Sequence, residues 1–321
     1  MGAFIKHKRL SCFALAAASL LGGCATMPPT ADAPKIAITI DDLPVHGPMP
    51  RGVTALDVNR QMIRAIQEAG TQGVTVFING HWLEGQPETA AALQAWDEAG
   101  IAVGSHSWSH PNLNNVTADQ YKQEISRNEA VVERFADGKD WHWYRYPYLA
   151  EGEDLAKRVE IRNYLADRGY KIAGVSMDFS DWKWTAAYVR CANSNNAAAV
   201  KKLERMYLDA ARFNVDYSRK VAKAIYGRDI PHVLLMHVSA FSARMMPRLL
   251  QLYRNAGFRF MSLAEAQADP AYAEDMNPRL PPRPQFVDQR PTANGVIVEP
   301  QSDYSAQLDA MCPGGPMTPT Q

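Results

Sequence analysis

Between residues 35 and 268 short apolar runs alternate repeatedly with longer stretches of helical period. Lys35–Ile40, Val74–Ile78, Ile101–Gly104, Ile172–Val175, His232–Met236 and Phe258–Met261 have the length and apolarity of buried strands. Leu56–Ala69, Glu88–Ala99, Thr117–Ala136 and the stretches 153–168, 197–226 and 243–256 space their apolar residues as amphipathic helices do, and Gly70 and Gly100 stop the first two. Repeated strand–helix units predict an α/β fold with a parallel sheet or barrel. The 46% of hydrophobic residues are enough to fill a sizeable core, which excludes general disorder, and 321 residues fit one large domain or two small ones. The stretch 185–227 is longer than one crossover needs and is expected to be an insertion of one or two helices. From residue 276 onward the chain is Pro-rich and reads as an irregular extension with at most one strand, at Gly295–Val298. No internal repeat or glycine-rich phosphate loop is present.

In parallel sheets ligands gather beyond the carboxyl ends of the strands, so polar residues directly after apolar runs are the candidates for chemistry. Asp41 and Asp42 end the first strand; such a pair can cap a helix or sit in a solvated turn, or can offer one metal ligand and one base. His106 and His110 follow the third strand four residues apart. Two surface histidines would look the same, but with a carboxylate from another strand end they would make a two-His, one-Asp metal site with open positions. Tyr144–Tyr148 and Leu234–His237 close two further strands, and a lone histidine such as His237 is more often structural. His46 and His81 also follow strands and could approach the same groove, as could Trp82, Trp108, Trp141, Trp143 and Trp184, although core packing accounts equally well for most of the tryptophans.

Taken together, Thr39-Ile40-Asp41-Asp42, His106-Ser107-Trp108-Ser109-His110, Arg145-Tyr146-Pro147-Tyr148, Asp178-Phe179-Ser180-Asp181-Trp182 and Leu235-Met236-His237 resemble, in order, the five motifs of the polysaccharide deacetylases, carbohydrate esterase family 4. The resemblance covers residues 35–268 and departs from the commonest pattern at Ile40, in the run Leu43-Pro44-Val45-His46-Gly47 and in the 185–227 insertion. It implies a distorted (β/α) barrel over residues 35–275 and a hydrolase that removes acetyl groups from an N-acetylated glycan. It further implies one divalent metal, zinc by preference, on Asp42, His106 and His110, with Asp41 as general base and Arg145 holding it. His237 would be the general acid, oriented by Asp181; the backbone N–H of Tyr148 would serve the oxyanion, Trp182 would pack beside His237, with a ring that could also receive sugar, and Asp178 would be structural. O-acetyl esterase action on a polysaccharide such as xylan, and a carbohydrate-binding protein without turnover, remain alternatives.

The N-terminus carries an address. Lys6, Lys8 and Arg9 precede an apolar run from Leu10 to Leu21 that is too short to span a bilayer and reads as a signal peptide, residues 1–23. Leu21-Gly22-Gly23-Cys24 resembles a bacterial lipobox, which implies lipid on Cys24, a tether over 24–34 and an outer-membrane location, Ala25 standing where an aspartate would favour the inner membrane. Lys+Arg and Asp+Glu both number 34, so there is none of the basic excess that marks a nucleic-acid partner. After processing, Cys191 and Cys312 would remain in an oxidising compartment, where a bond between them and two unrelated thiols both fit.

Overall fold

The computed structural model describes residues 1–2, 33–84, 86, 88–284, 286–290 and 297–315. The signal peptide apart from its first two residues, Cys24 and most of the tether lie outside the described residues. Seven parallel strands form one sheet: β1 (Lys35–Leu43), β2 (Thr75–Ile78), β3 (Ala102–Ser105), β4 (Trp143–Tyr144), β5 (Lys171–Ile172), β6 (His232–His237) and β7 (Arg259–Phe260). The spatial order is β5-β4-β3-β2-β1-β6, with β7 beside the start of β1. Beyond β5 the chain reaches round to β6 through a parallel bridge between Met177 and Leu234, curling the sheet into the expected distorted (β/α) barrel.

Helices α1 (Ala55–Glu68), α2 (Glu88–Glu98), α3 (Ala118–Arg134) and α4 (Leu155–Asp167) make the first four crossovers. The predicted insertion is present as α5 (Trp184–Asn193) and the 30-residue α6 (Ala197–Tyr226), and α7 (Ala240–Asn255) follows β6. Three short helices, α8 (Leu263–Gln267), α9 (Ala273–Met276) and α10 (Ser305–Asp309), complete the described residues. The start of α1 illustrates the local logic. Thr54 and Asp57 exchange hydrogen bonds in a capping box, and Val58, Met62, Ile63, Ala65 and Ile66 then form the buried face. Each large side chain on that face contributes about 1.5–3 kcal/mol, so a charged residue at Met62, which is wholly buried, would detach the helix.

Alternation along β1 divides the interior in two. Ile36, Ile38 and Ile40 pack outward against the helices, while Ala37, Thr39 and Asp41 turn into the barrel. The barrel interior is tight at Gly104 of β3, where a Cβ would lie 2.7 Å from the Phe77 ring and 2.8 Å from the Trp143 carbonyl oxygen.

Two features of the C-terminal region depart from expectation or decide between alternatives. Ile297 and Val298 are not in a strand, while Gly295 and Val296 lie outside the described residues. Cys191 of α5 and Cys312 form a disulfide across 121 residues, which ties the segment carrying α10 to the insertion. Among the described residues no helix is long and apolar enough to cross a membrane.

Candidate active site and metal centre

The polar strand ends converge on one cavity of about 540 Å³ at the carboxyl end of the barrel. Asp41 and His237 are direct neighbours across the β1–β6 register, which places a carboxylate and an imidazole side by side. Asp41 is buried, and Arg145, fully buried after β4, reaches it with Nη1 at 3.4 Å from Oδ1 and 3.3 Å from Oδ2. Nη2 of Arg145 donates to Thr39 Oγ1 at 3.0 Å, and its guanidinium lies 4.9 Å from the centre of the Phe77 ring. Burial pushes this guanidinium down from its ordinary value; the charge of Asp41 acts against it.

Asp42 follows with a positive φ of 65°, which turns its carboxylate to the loop after β3. His106 Nε2 and His110 Nε2 each lie 3.3 Å from Asp42 Oδ1. His106 Nδ1 is 2.8 Å from the Arg145 carbonyl oxygen; a carbonyl only accepts, so Nδ1 carries the proton and Nε2 keeps its lone pair for the cavity. Burial first, and then the neighbouring His106, lower the His110 pKa to about 4, so its ring is neutral near pH 7. Burial pushes the Asp42 carboxyl up, but the neighbouring imidazoles of His106 and His46 outweigh it and hold the group well below the usual range. Asp42 Oδ1 is buried with no hydrogen-bond partner. One atom from each of Asp42, His106 and His110 lies within 4.8 Å of the others, and this set of a carboxylate oxygen and two imidazole nitrogens fits a divalent cation.

The loop that carries both histidines is held by residues outside the sequence motifs. Asn79 Nδ2 donates to the carbonyls of His106 at 2.5 Å and Ser107 at 3.2 Å, and Asn128 Nδ2 donates to Ile78 O and Ser105 Oγ. Ser107 and His110 both take positive φ, and this backbone arrangement brings two histidines four residues apart together without a helix. Neither asparagine carries a sequence signal that distinguishes it from any other polar loop or helix residue.

On the other wall His237 is held through two contacts with one carboxylate. Its Nδ1 donates to Asp181 Oδ1 at 2.8 Å and its backbone N–H to Asp181 Oδ2 at 3.0 Å, while Ser242 Oγ donates to Oδ2 at 2.6 Å. Burial works against a charged His237, yet the fully buried Asp181 overcomes it and pushes the pKa up to about 10. Asp178 supports this wall: its Oδ1 accepts the N–H of Ser180, a left-handed residue that leads into the turn bearing Asp181. Trp182 is 43% exposed and lines the cavity together with His237. Tyr148 sits at φ 60° in the turn after Pro147, with its ring 4.6 Å from His110. Of Trp82, Trp108, Trp141, Trp143 and Trp184 only Trp82 lines the cavity; Trp108, Trp143 and Trp184 are buried. His46 and His81 both line it.

Residues 29–173 match the family model of the polysaccharide deacetylases. Over that stretch the chain is similar to the polysaccharide deacetylases. It is 26% identical over 153 residues to a peptidoglycan-N-acetylglucosamine deacetylase of Bacillus cereus, a match covering 48% of each chain. It is also 26% identical over 243 residues to a chitin deacetylase of Colletotrichum lindemuthianum, covering 73% of this chain and 79% of that one. Several curated relatives are matched over about half of their own length or less. In fold the chain is similar to a CE4 family pseudoenzyme from Bacillus anthracis, with a TM-score of 0.51 at 16% identity over 73% of this chain and 66% of that one.

Proposed function

We propose that this chain is a polysaccharide deacetylase, a metal-dependent hydrolase that removes acetyl groups from an N-acetylated glycan. The observation that carries the reading is the opposition, across one cavity, of the Asp42–His106–His110 cluster and the Asp181–His237 pair, with Asp41 between them. The names of the relatives, which act on peptidoglycan or chitin, support the same substrate class. When bound, a divalent cation, zinc by its preference for imidazole and carboxylate donors, supplies Lewis-acid chemistry that acidifies water and polarises an acyl oxygen.

The protein side chains divide the proton work. Asp41, oriented by Arg145, accepts the proton of the attacking water at its carboxylate. The backbone N–H of Tyr148 donates to the developing oxyanion. His237, whose Nδ1 is committed to Asp181, delivers the Nε2 proton to the departing nitrogen. A group held protonated at neutral pH suits an amine that cannot leave as an anion. Trp82 and Trp182 offer ring faces at the cavity for sugar. We further propose that residues 1–23 are a signal peptide and that lipid on Cys24 anchors the domain to the outer membrane; the Cys191–Cys312 disulfide fits the oxidising compartment this requires. Membrane association and processing unchanged in Cys24→Ser would contradict the anchor.

The test is acetate release by the purified protein, metal-replete or chelated, from chitooligosaccharides, peptidoglycan and acetylated xylan. Metal-dependent release from the first or second is expected. Release from xylan alone would replace the amide reading with an ester one, and no release from any of them would leave a binding protein.

A further inference from the structure

The departure of this chain from the family pattern immediately after its two aspartates has a structural counterpart. His46 lies four residues beyond Asp42 in the loop leaving β1, and its Nδ1 is 2.6 Å from Asp42 Oδ2. A carboxylate only accepts, so the ring donates its Nδ1 proton to that oxygen. The other oxygen, Oδ1, is then the one that both His106 and His110 face, and it has no hydrogen-bond partner. The loop is not free to drift: the His46 backbone N–H donates to Val238 O at 2.8 Å, and Val238 N–H donates to Asp41 O at 3.1 Å, so the segment is pinned to the end of β6. The ring itself is only partly exposed and lies 5.1 Å from the ring of His237.

We propose that His46 is a positioning residue for the metal centre, whose hydrogen bond to Oδ2 fixes the Asp42 carboxylate so that Oδ1 alone is presented to the cation. The inference rests on the metal-centre reading above and concerns a residue outside the five motifs. A carboxylate at a strand end can rotate about its last torsion, and an outer partner on one oxygen selects the rotamer in which the other meets the ion.

The experiment is a zinc titration of the full chain against a chromophoric chelator, with circular dichroism to establish that each variant is folded. His46→Ala is expected to bind zinc about 10- to 100-fold more weakly. His46→Asn, whose amide N–H can occupy the position of Nδ1, is expected to recover to within about threefold of the wild type. A folded His46→Ala that binds as tightly as the wild type overturns the proposal, and so does a His46→Asn as weak as His46→Ala, which would make the ring itself the ligand. His106→Ala run alongside separates the two levels of the argument: if it too binds like the wild type, the metal centre fails and the positioning role falls with it.

Discussion

Replacing Asp181 by asparagine removes one charge and leaves the shape of the His237 wall nearly unchanged. In the wild type the burial that disfavours a charged His237 is outweighed by Asp181, and the pKa stands at about 10. Without that carboxylate, burial acts with far less opposition and the ring should titrate at or below its ordinary 6.5. The difference corresponds to a charge interaction on the order of 5 kcal/mol. Because the folded pKa is raised, that stabilisation is full below pH 6.5 and fades as the pH climbs through about 10. At pH 7.5 the wild-type acid is almost wholly protonated, whereas a ring titrating at 6.5 is protonated in roughly one molecule in ten. Asp181→Asn should therefore lower kcat/KM on an N-acetyl oligosaccharide about 10- to 100-fold at pH 7.5, the larger figure including the loosened ring, and should regain activity as the pH falls toward about 6. On 4-nitrophenyl acetate, whose leaving group needs no proton, the loss should stay within about threefold. Steady-state kinetics on both substrates from pH 5.5 to 9, with zinc content and Tm measured on the same samples, would decide. An equal loss on both substrates, or one that acid does not repair in a folded, metal-replete variant, would refute the general-acid assignment.

His106→Ala or His110→Ala should abolish zinc binding and activity together, since each removes one of the three proposed protein ligands, with metal content after dialysis as the measure. For Asp178, burial raises the pKa to about 6, above the 3.8 of an ordinary aspartate, so wild-type stability should fall as the pH rises between those values. Asp178→Asn keeps an acceptor for the Ser180 N–H and should become the more stable protein above pH 7, by up to about 3 kcal/mol, while matching the wild type near pH 4; urea melts of metal-free protein across this range test the trend. Removing the disulfide with Cys191→Ser and Cys312→Ser frees a loop of 121 residues in the unfolded chain and should cost up to about 5 kcal/mol, read as a lower urea midpoint with zinc affinity unchanged.

Much of this site could be read from the chain because its chemistry lies at strand ends, where an apolar run of known period points to the polar residue that follows it. Asp41, Asp42, His106, Arg145, Asp181 and His237 all occupy such places or the turns beside them; four of them line one cavity, with Arg145 behind Asp41 and Asp181 behind His237. Helix α6 was legible to the residue, because a long period ended by Gly227 leaves little latitude. The strand expected over Ile172–Val175 was not: only Lys171 and Ile172 pair with β4, and Val175 instead makes an isolated bridge to Phe286 from the C-terminal region, a partner that local pattern cannot announce. Asn79, Asn128 and the bond of His46 to Asp42, though not the approach of His46 to the groove, were hidden for a related reason. Their roles depend on carbonyls or carboxylates that the fold brings to them, including groups up to fifty residues away, and their own residue types are common in loops and helix surfaces.

The central claim is that Asp41 moves a proton while Asp42 holds the metal, although the two are adjacent in the chain. It is tested most directly by comparing the wild type with Asp41→Asn on an N-acetylglucosamine oligomer, measuring acetate, free amine and bound zinc in the same samples. Wild-type protein should release acetate and amine one to one. Asp41→Asn should retain stoichiometric zinc but release both products about 10²- to 10⁴-fold more slowly, as expected for loss of a general base. Loss of zinc from Asp41→Asn, or undiminished turnover in it, would contradict the account.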